Sequence, residues 1–174
     1  MDLITTFQDW VARVPDLVQP LIVALAGAIP FIEGEGAASI GILGGIPPVV
    51  AAIAAMVGNF VCVAALVLLS SGAREAVVTR HRSRVAVAAG DGSVDSLPAA
   101  PTPRKQKFQR AFERYGVPGV SLLGPLLLPT QFTATMLAAS GVAKGRILLW
   151  QGIAIILWTT AVAVIVSGVV YAVR

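Results

Sequence analysis

Cysteine and histidine are nearly absent; Cys62 and His81 are the only examples of each. A lone cysteine excludes an internal disulfide framework and a cysteine-rich metal site. A lone histidine, set between Arg80 and Arg82, excludes a histidine-based zinc site or catalytic triad in the apolar segments. Neither a Gly-x-Ser-x-Gly nucleophile motif nor a phosphate-binding glycine loop occurs. The chain therefore reads as a non-enzyme without metal or cofactor. Charge is scarce as well, at 13% of residues; soluble domains carry roughly a quarter. From Leu17 to Ser71 the only charges are Glu33 and Glu35, and from Gly116 to Val173 they are Lys144 and Arg146. A basic n-region is also missing, since Asp2, Asp9 and Asp16 face a single Arg13, the reverse of a secretory signal.

What is abundant is apolar: 56% of the 174 residues. A core of ordinary size cannot bury that surplus, whereas lipid can. The net charge of +4 sits mostly in one central stretch. Basic residues between apolar blocks read first as a cytoplasmic loop of a membrane protein, and only second as a nucleic-acid patch.

Along the chain, residues 2–14 place Leu3, Ile4, Phe7, Trp10, Val11 and Val14 on one face at helical spacing, which predicts an amphipathic helix lying in the membrane interface. Leu21 to Ile32 is apolar, but its length of about 12 residues covers only ~18 Å as a helix. The hydrocarbon core is roughly 30 Å thick, so this piece does not cross. Gly36 to Ile46 is short again. Between them, Pro30-Phe31-Ile32-Glu33-Gly34-Glu35-Gly36 is a poor mid-helix sequence. The economical structure is a helical hairpin that enters the membrane, turns at this motif and leaves on the same side. Pro47-Pro48 then opens a true span from Val49 to Ser71, carrying Asn59.

Residues 72–116 form a polar insert holding Arg74, Arg80, Arg82, Arg84, Arg104, Lys105, Lys107, Arg110 and Arg114. Its centre, Ala88 to Pro103, is rich in Gly, Ser, Ala and Pro and is expected to be disordered. A second amphipathic helix is expected from about Pro103 to Tyr115.

The pattern then recurs: Val117 to Leu128 short and apolar, a break at Pro129-Thr130-Gln131, Phe132 to Ala143 short again, and a long span over Ile147 to Val173. Pro30 matches Pro129, Phe7-Gln8 matches Phe108-Gln109, and Gly41…Gly45 matches Gly141…Gly145, all offset by about 100 residues. Those four glycines read as close helix-contact positions. The expected fold is all-α and integral to the membrane: an inverted repeat of amphipathic helix, re-entrant hairpin and one transmembrane helix. Residues 1–71 form the first repeat, 72–103 the basic loop and 104–174 the second repeat. The basic insert is placed in the cytoplasm. Four plain spans would need segments that are too short, or Glu33 and Glu35 inside a helix.

Glu33 and Glu35 are the sharpest candidates for chemistry. A carboxylate at membrane depth is expensive, so it points to function, and a buried acid suits proton exchange or capture of a cation. A hairpin tip that reaches water, with the acids merely solvated, is the other reading. Pro30 forms the break beside them. Pro129, Thr130, Gln131 and Thr133 form the opposing tip and offer hydroxyls and an amide; satisfying the broken backbone is an equal reading for them. Asn59 either lines the same cavity or joins helices.

The stretch Ile29-Pro30-Phe31-Ile32-Glu33-Gly34-Glu35-Gly36-Ala37 resembles the first hairpin of the small multidrug export protein family. Tyr115-Gly116 and Leu128-Pro129-Thr130 look like that family's second hairpin. The family is similar in turn to the DedA superfamily of membrane proteins. That resemblance implies paired re-entrant hairpins, an essential acid in the first, and either proton-dependent transport or flipping of polyprenyl-phosphate or other lipids. By it, Glu33 is the key acid. The second hairpin departs, because Leu126 and Phe132 stand where DedA proteins have arginines. An anionic phosphate headgroup then lacks its expected partner, which favours a cationic or neutral substrate.

Three functions stay open: a proton-coupled small-molecule exporter, a lipid flippase, and a non-transporting scaffold that docks a partner through the basic insert. The expected partners are membrane lipid, protons and a small-molecule or lipid substrate, with a homodimer as the candidate oligomer and no nucleic acid. The expected location is the bacterial cytoplasmic (inner) membrane, multi-pass.

Overall fold

A computed structural model of the chain describes residue 6, residues 14–88 and residues 103–173. Among the described residues all regular structure is helical: α1 (Gln19–Gly27), α2 (Glu33–Leu43), α3 (Pro48–Ala88), α4 (Pro103–Leu123), a 3₁₀ turn (Gly124–Leu126), α5 (Thr130–Ala139) and α6 (Lys144–Val173). The amphipathic helix expected over residues 2–14 lies outside the described residues but for Thr6 and Val14, and the disorder expected from Ala88 to Pro103 lies outside them but for its two end residues, which close α3 and open α4.

Local chemistry sets these boundaries. Pro20 stands in the first turn of α1, where its missing N–H costs nothing, and the helix stops at Gly27, three residues before Pro30. The helix α2 ends in a glycine cap: Gly45 takes φ +93°, and the Ile46 N–H reaches back to the Gly41 carbonyl at 3.0 Å. The end of α5 repeats the device, with Gly141 at φ +85° and the Val142 N–H on the Leu137 carbonyl at 3.3 Å. Gly45 and Gly141 are thus cap residues, and a Cβ at Gly45 or Gly145 would meet nothing within 4 Å. Gly41, by contrast, is packed tightly against Ala51 and Val23.

Two helices are long and apolar enough to cross a membrane, Pro48–Ser70 within α3 and Lys144–Val173. Only 33% and 22% of their most apolar stretches are buried, so both turn a broad apolar flank outward. The helix α3 does not stop near Ser71, where the span was expected to end, but continues to Ala88. Good helix formers such as Ala73, Arg74, Glu75 and Ala76 follow Ser71, and no Pro interrupts before Pro98. In α4, Gly116 takes φ +65° and ψ −167°, which breaks the helix before Pro118 and redirects it.

The packing has two halves. One apolar cluster joins α1, α2 and the start of α3, including Val23, Ala37, Ile40 and Ala55, to Ala163 near the end of α6. The other joins Val63 and Val67 of α3 to Val117 and Val120 of α4, Leu137 of α5, and Ile147 and Ile155 of α6. The beginning of α3 therefore packs with the end of α6, and the two long helices run antiparallel. Each half folds a short hairpin onto this pair: α1 on α3, α2 on both long helices, α4 on α6, and α5 on both. Glycines bring α1 and α3 together. A Cβ at Gly58 would lie 1.8 Å from the Ala24 carbonyl oxygen, and one at Gly27 would lie 2.6 Å from that of Ala55.

Candidate functional site

Asn59 sits on the inward face of α3 between Ala55 of one apolar cluster and Val63 of the other. Thr159 holds the same place on α6, between Ile155 and Ala163. Both are fully buried. The level they mark is where the two hairpin tips meet.

The first tip is an irregular turn. Phe31 and Glu33 adopt left-handed backbone, at φ +73° and +53°. Two non-glycine residues in that region so close together are uncommon and cost energy. The turn still satisfies its backbone: the Ile32 and Glu33 N–H groups donate to the Ile29 carbonyl at 3.2 and 3.1 Å. Its product is a sharp division of side chains. Phe31 is 81% exposed, while Glu33, two residues on, is 7% exposed.

The second tip presents the start of a helix. Pro129 is extended at φ −51° and ψ 143°, and α5 begins at Thr130. The first N–H groups of a helix lack internal partners and carry the positive end of its dipole. Glu33 Oε1 takes up this position. It accepts a very short hydrogen bond from the Thr130 backbone N–H and a 2.6 Å bond from the Thr130 hydroxyl. The sequence offers this acid no Lys or Arg on the opposing tip; a helix N-terminus and the Thr130 hydroxyl stand there instead. Burial and these donors act on the carboxylate in opposite senses.

Around Thr130 the network widens. Its Oγ1 lies 3.2 Å from Asn59 Oδ1 and 3.4 Å from Gln131 Oε1, and Gln131 Nε2 donates to Asn59 Oδ1 at 3.2 Å. One hydroxyl proton faces three acceptor oxygens, so the donor direction depends on which way the two amides are turned. With Glu33 ionised and the amides turned, donation runs from Asn59 and Gln131 to Thr130 and on to Glu33. With Glu33 protonated, it runs from Glu33 to Thr130 and on to Asn59. The same four side chains serve both charge states.

Glu33, Asn59, Thr130 and Gln131 are thus gathered into one buried cluster. Other residues named from the sequence lie apart. Glu35 is half-buried; its Oε2 has no partner among the described residues, and its carbonyl accepts from Ser39 Oγ at 2.7 Å. Thr133 is buried, but its hydroxyl donates one turn back to the Pro129 carbonyl at 3.3 Å. Pro30 is exposed in the turn and Pro129 caps α5. Aromatic contact joins the tips at the surface, with the Phe31 and Phe132 ring centroids 6.1 Å apart.

Sequence reasoning missed residues on the second long helix. Thr159 Oγ1 would lie 2.2 Å from a Cβ at Gly34, so only glycine lets α2 pass this close to α6. Trp158 Nε1 donates to the Leu122 carbonyl at 2.8 Å, where α4 gives way to the 3₁₀ turn. Gln151 is fully buried two turns before Thr159. The available signal was Gln151 and Thr159 at positions i and i+8 on one face of an otherwise apolar helix. The chain matches no protein-family model, no curated protein and no solved structure.

Proposed function

We propose that this chain is an integral protein of the bacterial cytoplasmic (inner) membrane, a small secondary transporter in which Glu33 takes up and releases the coupling proton. The observation that carries the reading is a nearly buried carboxylate held across the junction of two hairpin tips by Thr130. Two long apolar helices with outward apolar flanks support the membrane placement. The cross-contacts of the hairpins support an inverted repeat: the first turn of α2 meets α6 at Gly34–Thr159, and the first turn of α5 meets α3 at Gln131–Asn59. Each half then crosses once, in its long helix, and the halves are oppositely oriented around a midplane site, as in many transporters. The basic insert faces the cytoplasm by charge.

The geometry supports a latch. Hydrogen bonds to a charged acceptor are about twice as strong as neutral ones. Ionised Glu33 clamps the tips together through two donors of Thr130. Protonation replaces this clamp by neutral bonds, so the tips part more readily and the cavity between them opens. A contact of 2.6 Å leaves no room for a substrate between the two residues, so this is the closed state of the latch. A phosphate headgroup would want a cation at the tips. Lys144 and Arg146, the only cations from Gly116 to Val173, are exposed at the start of α6. A neutral or cationic small molecule suits such a site better than a lipid phosphate.

Proton flux in liposomes containing wild type and Glu33→Gln tests the reading. The amide preserves shape and removes the charge, so proton-linked transport is lost while the protein still inserts. Unchanged flux in Glu33→Gln would sink the proposal. Deleting residues 86–102 leaves a transporter active. Loss of function on that deletion, with Glu33→Gln harmless, is the outcome that favours a scaffold.

A further inference from the structure

The two halves differ in what they enclose. The first packs Val23, Ala26, Ala37, Ile40, Ala51 and Ala55 against one another. The second is built from stretches that also carry Ser121, flanked by Val120, and Gln151, which stands one turn from both Ile147 and Ile155. Both polar residues are fully buried. Ser121 Oγ and both amide atoms of Gln151 have no hydrogen-bond partner among the described residues, and neither has Thr159 Oγ1. A buried amide without partners is strongly disfavoured, and an apolar side chain of similar size avoids that cost.

Their heights form a series. Ser121 lies five residues past the Gly116 break, or about 7.5 Å into the hairpin at the helical rise. Gln151 lies seven residues into α6, about 10 Å from Lys144, and Thr159 is a further ~12 Å along. Thr159 packs on Gly34, the neighbour of Glu33. At the inner end Asn59 Nδ2 is also unpartnered, within the cluster that holds Glu33. Among the described residues of the first half the one comparable atom is Glu35 Oε2, itself buried, on a partly exposed residue of the tip two positions from Glu33.

We infer that Ser121, Gln151 and Thr159 line a narrow water-bearing passage from the side of the basic insert to Glu33, with no matching series among the described residues of the first half below its tip. Buried waters typically make about three hydrogen bonds and sit where protein polar groups need partners. The passage rests on the reading of Glu33 as the coupling acid for its purpose, though not for its existence. In this conformation protons reach Glu33 from the insert side alone.

Single cysteines in a Cys62→Ala background test the passage. Silver ion is small, does not cross lipid in chloride-free buffer, and reacts with a thiol according to its access. Vesicles of both polarities are prepared, and a bulky impermeant maleimide on Gly92→Cys identifies the polarity that exposes the insert. Silver added from that side blocks Ser121→Cys and Gln151→Cys at least about tenfold faster than from the other side, as expected where access controls the reaction. Val23→Cys, in the dry half, stays protected from both sides. Ser121→Cys exchanges one oxygen for sulfur, so it decides the matter if Gln151→Cys does not assemble. Protection of Ser121→Cys from the insert side, or equal reaction from both sides, overturns the passage. Unchanged flux in Glu33→Gln with the silver pattern intact overturns the coupling role and leaves the passage standing.

Discussion

The first hairpin tip holds strained backbone and buries a carboxyl group, and the second offers donors without strain. At the first, Phe31 and Glu33 hold left-handed backbone, and the turn drives one side chain out and the next carboxylate in. At the second, the described positive φ angles belong to glycines flanking the hairpin, Gly116 and Gly141, and the tip itself is a proline followed by a regular helix start. Left-handed non-glycine residues cost of order 1–3 kcal/mol each and persist where the surroundings over-determine them. Here the surroundings include Thr130 on the opposite tip, so the strain at one hairpin and the free N–H groups at the other are two sides of one contact. Two hairpins packed on the same pair of long helices therefore carry different chemistry. One tip holds the titratable group, and the other holds the groups that report its charge.

The largest way to break this comparison is Glu33→Gln. Proton-linked flux is expected to fall to background in liposomes, with insertion and helical circular dichroism unchanged. Full flux would mean that the buried acid is structural.

Next in size is Gly58→Ala. Its Cβ would fall 1.8 Å from the Ala24 carbonyl oxygen, backbone that cannot swing away. Overpacking costs typically 1–3 kcal/mol, and a backbone clash belongs at or above the top of that range. Thermal unfolding in detergent should show a large drop in midpoint. Gly34→Ala meets a side-chain hydroxyl instead, Thr159 Oγ1 at 2.2 Å, so its smaller loss should be largely restored by adding Thr159→Ala. Absence of rescue would contradict the cross-contact between α2 and α6.

Smaller again is Thr130→Val, which removes the hydroxyl and keeps the backbone donor to Glu33. A hydrogen bond to a charged group is worth about 1.5–3 kcal/mol, so flux and its pH profile should shift and Thr130→Ser should restore both. An unchanged profile in Thr130→Val would remove the hydroxyl from the latch.

Much of this was legible because the features are local. Pro30 and Pro129 interrupt apolar runs too short to cross, and the structure breaks its helices there. Glu33 stood out as an acid in a charge-free stretch. The all-α class and the two long apolar helices follow from composition and run length. What stayed hidden depends on contacts far apart in sequence. Nothing near Thr130 announces that its N–H meets a residue 97 positions away. Thr159 looked like one hydroxyl in a span until Gly34 was packed on it. Gly45 and Gly141 fitted a helix-contact spacing, yet their positive φ angles make them caps, a distinction that spacing does not carry.

The smallest effect is expected at Glu35, and it sharpens the comparison most finely because it sets two acids of one tip side by side. Both lie in the first turn of α2, where the helix dipole favours negative charge. Only Glu33 reaches across to the second hairpin. Glu35 is half-buried, its one described polar link is a backbone carbonyl bonded to Ser39, and its buried Oε2 has no partner among the described residues. The latch therefore assigns it no part in holding the tips. Glu35→Gln should retain flux within about twofold of wild type, since the amide keeps the shape of a side chain with no described hydrogen bond to the second tip. The double variant should match Glu33→Gln alone, because an acid outside the latch adds nothing once the latch is gone. If instead Glu35→Gln abolished flux while Glu33→Gln kept it, the coupling acid would be the one without a partner across the junction. The contact between Glu33 and Thr130 would then be a structural cap of α5.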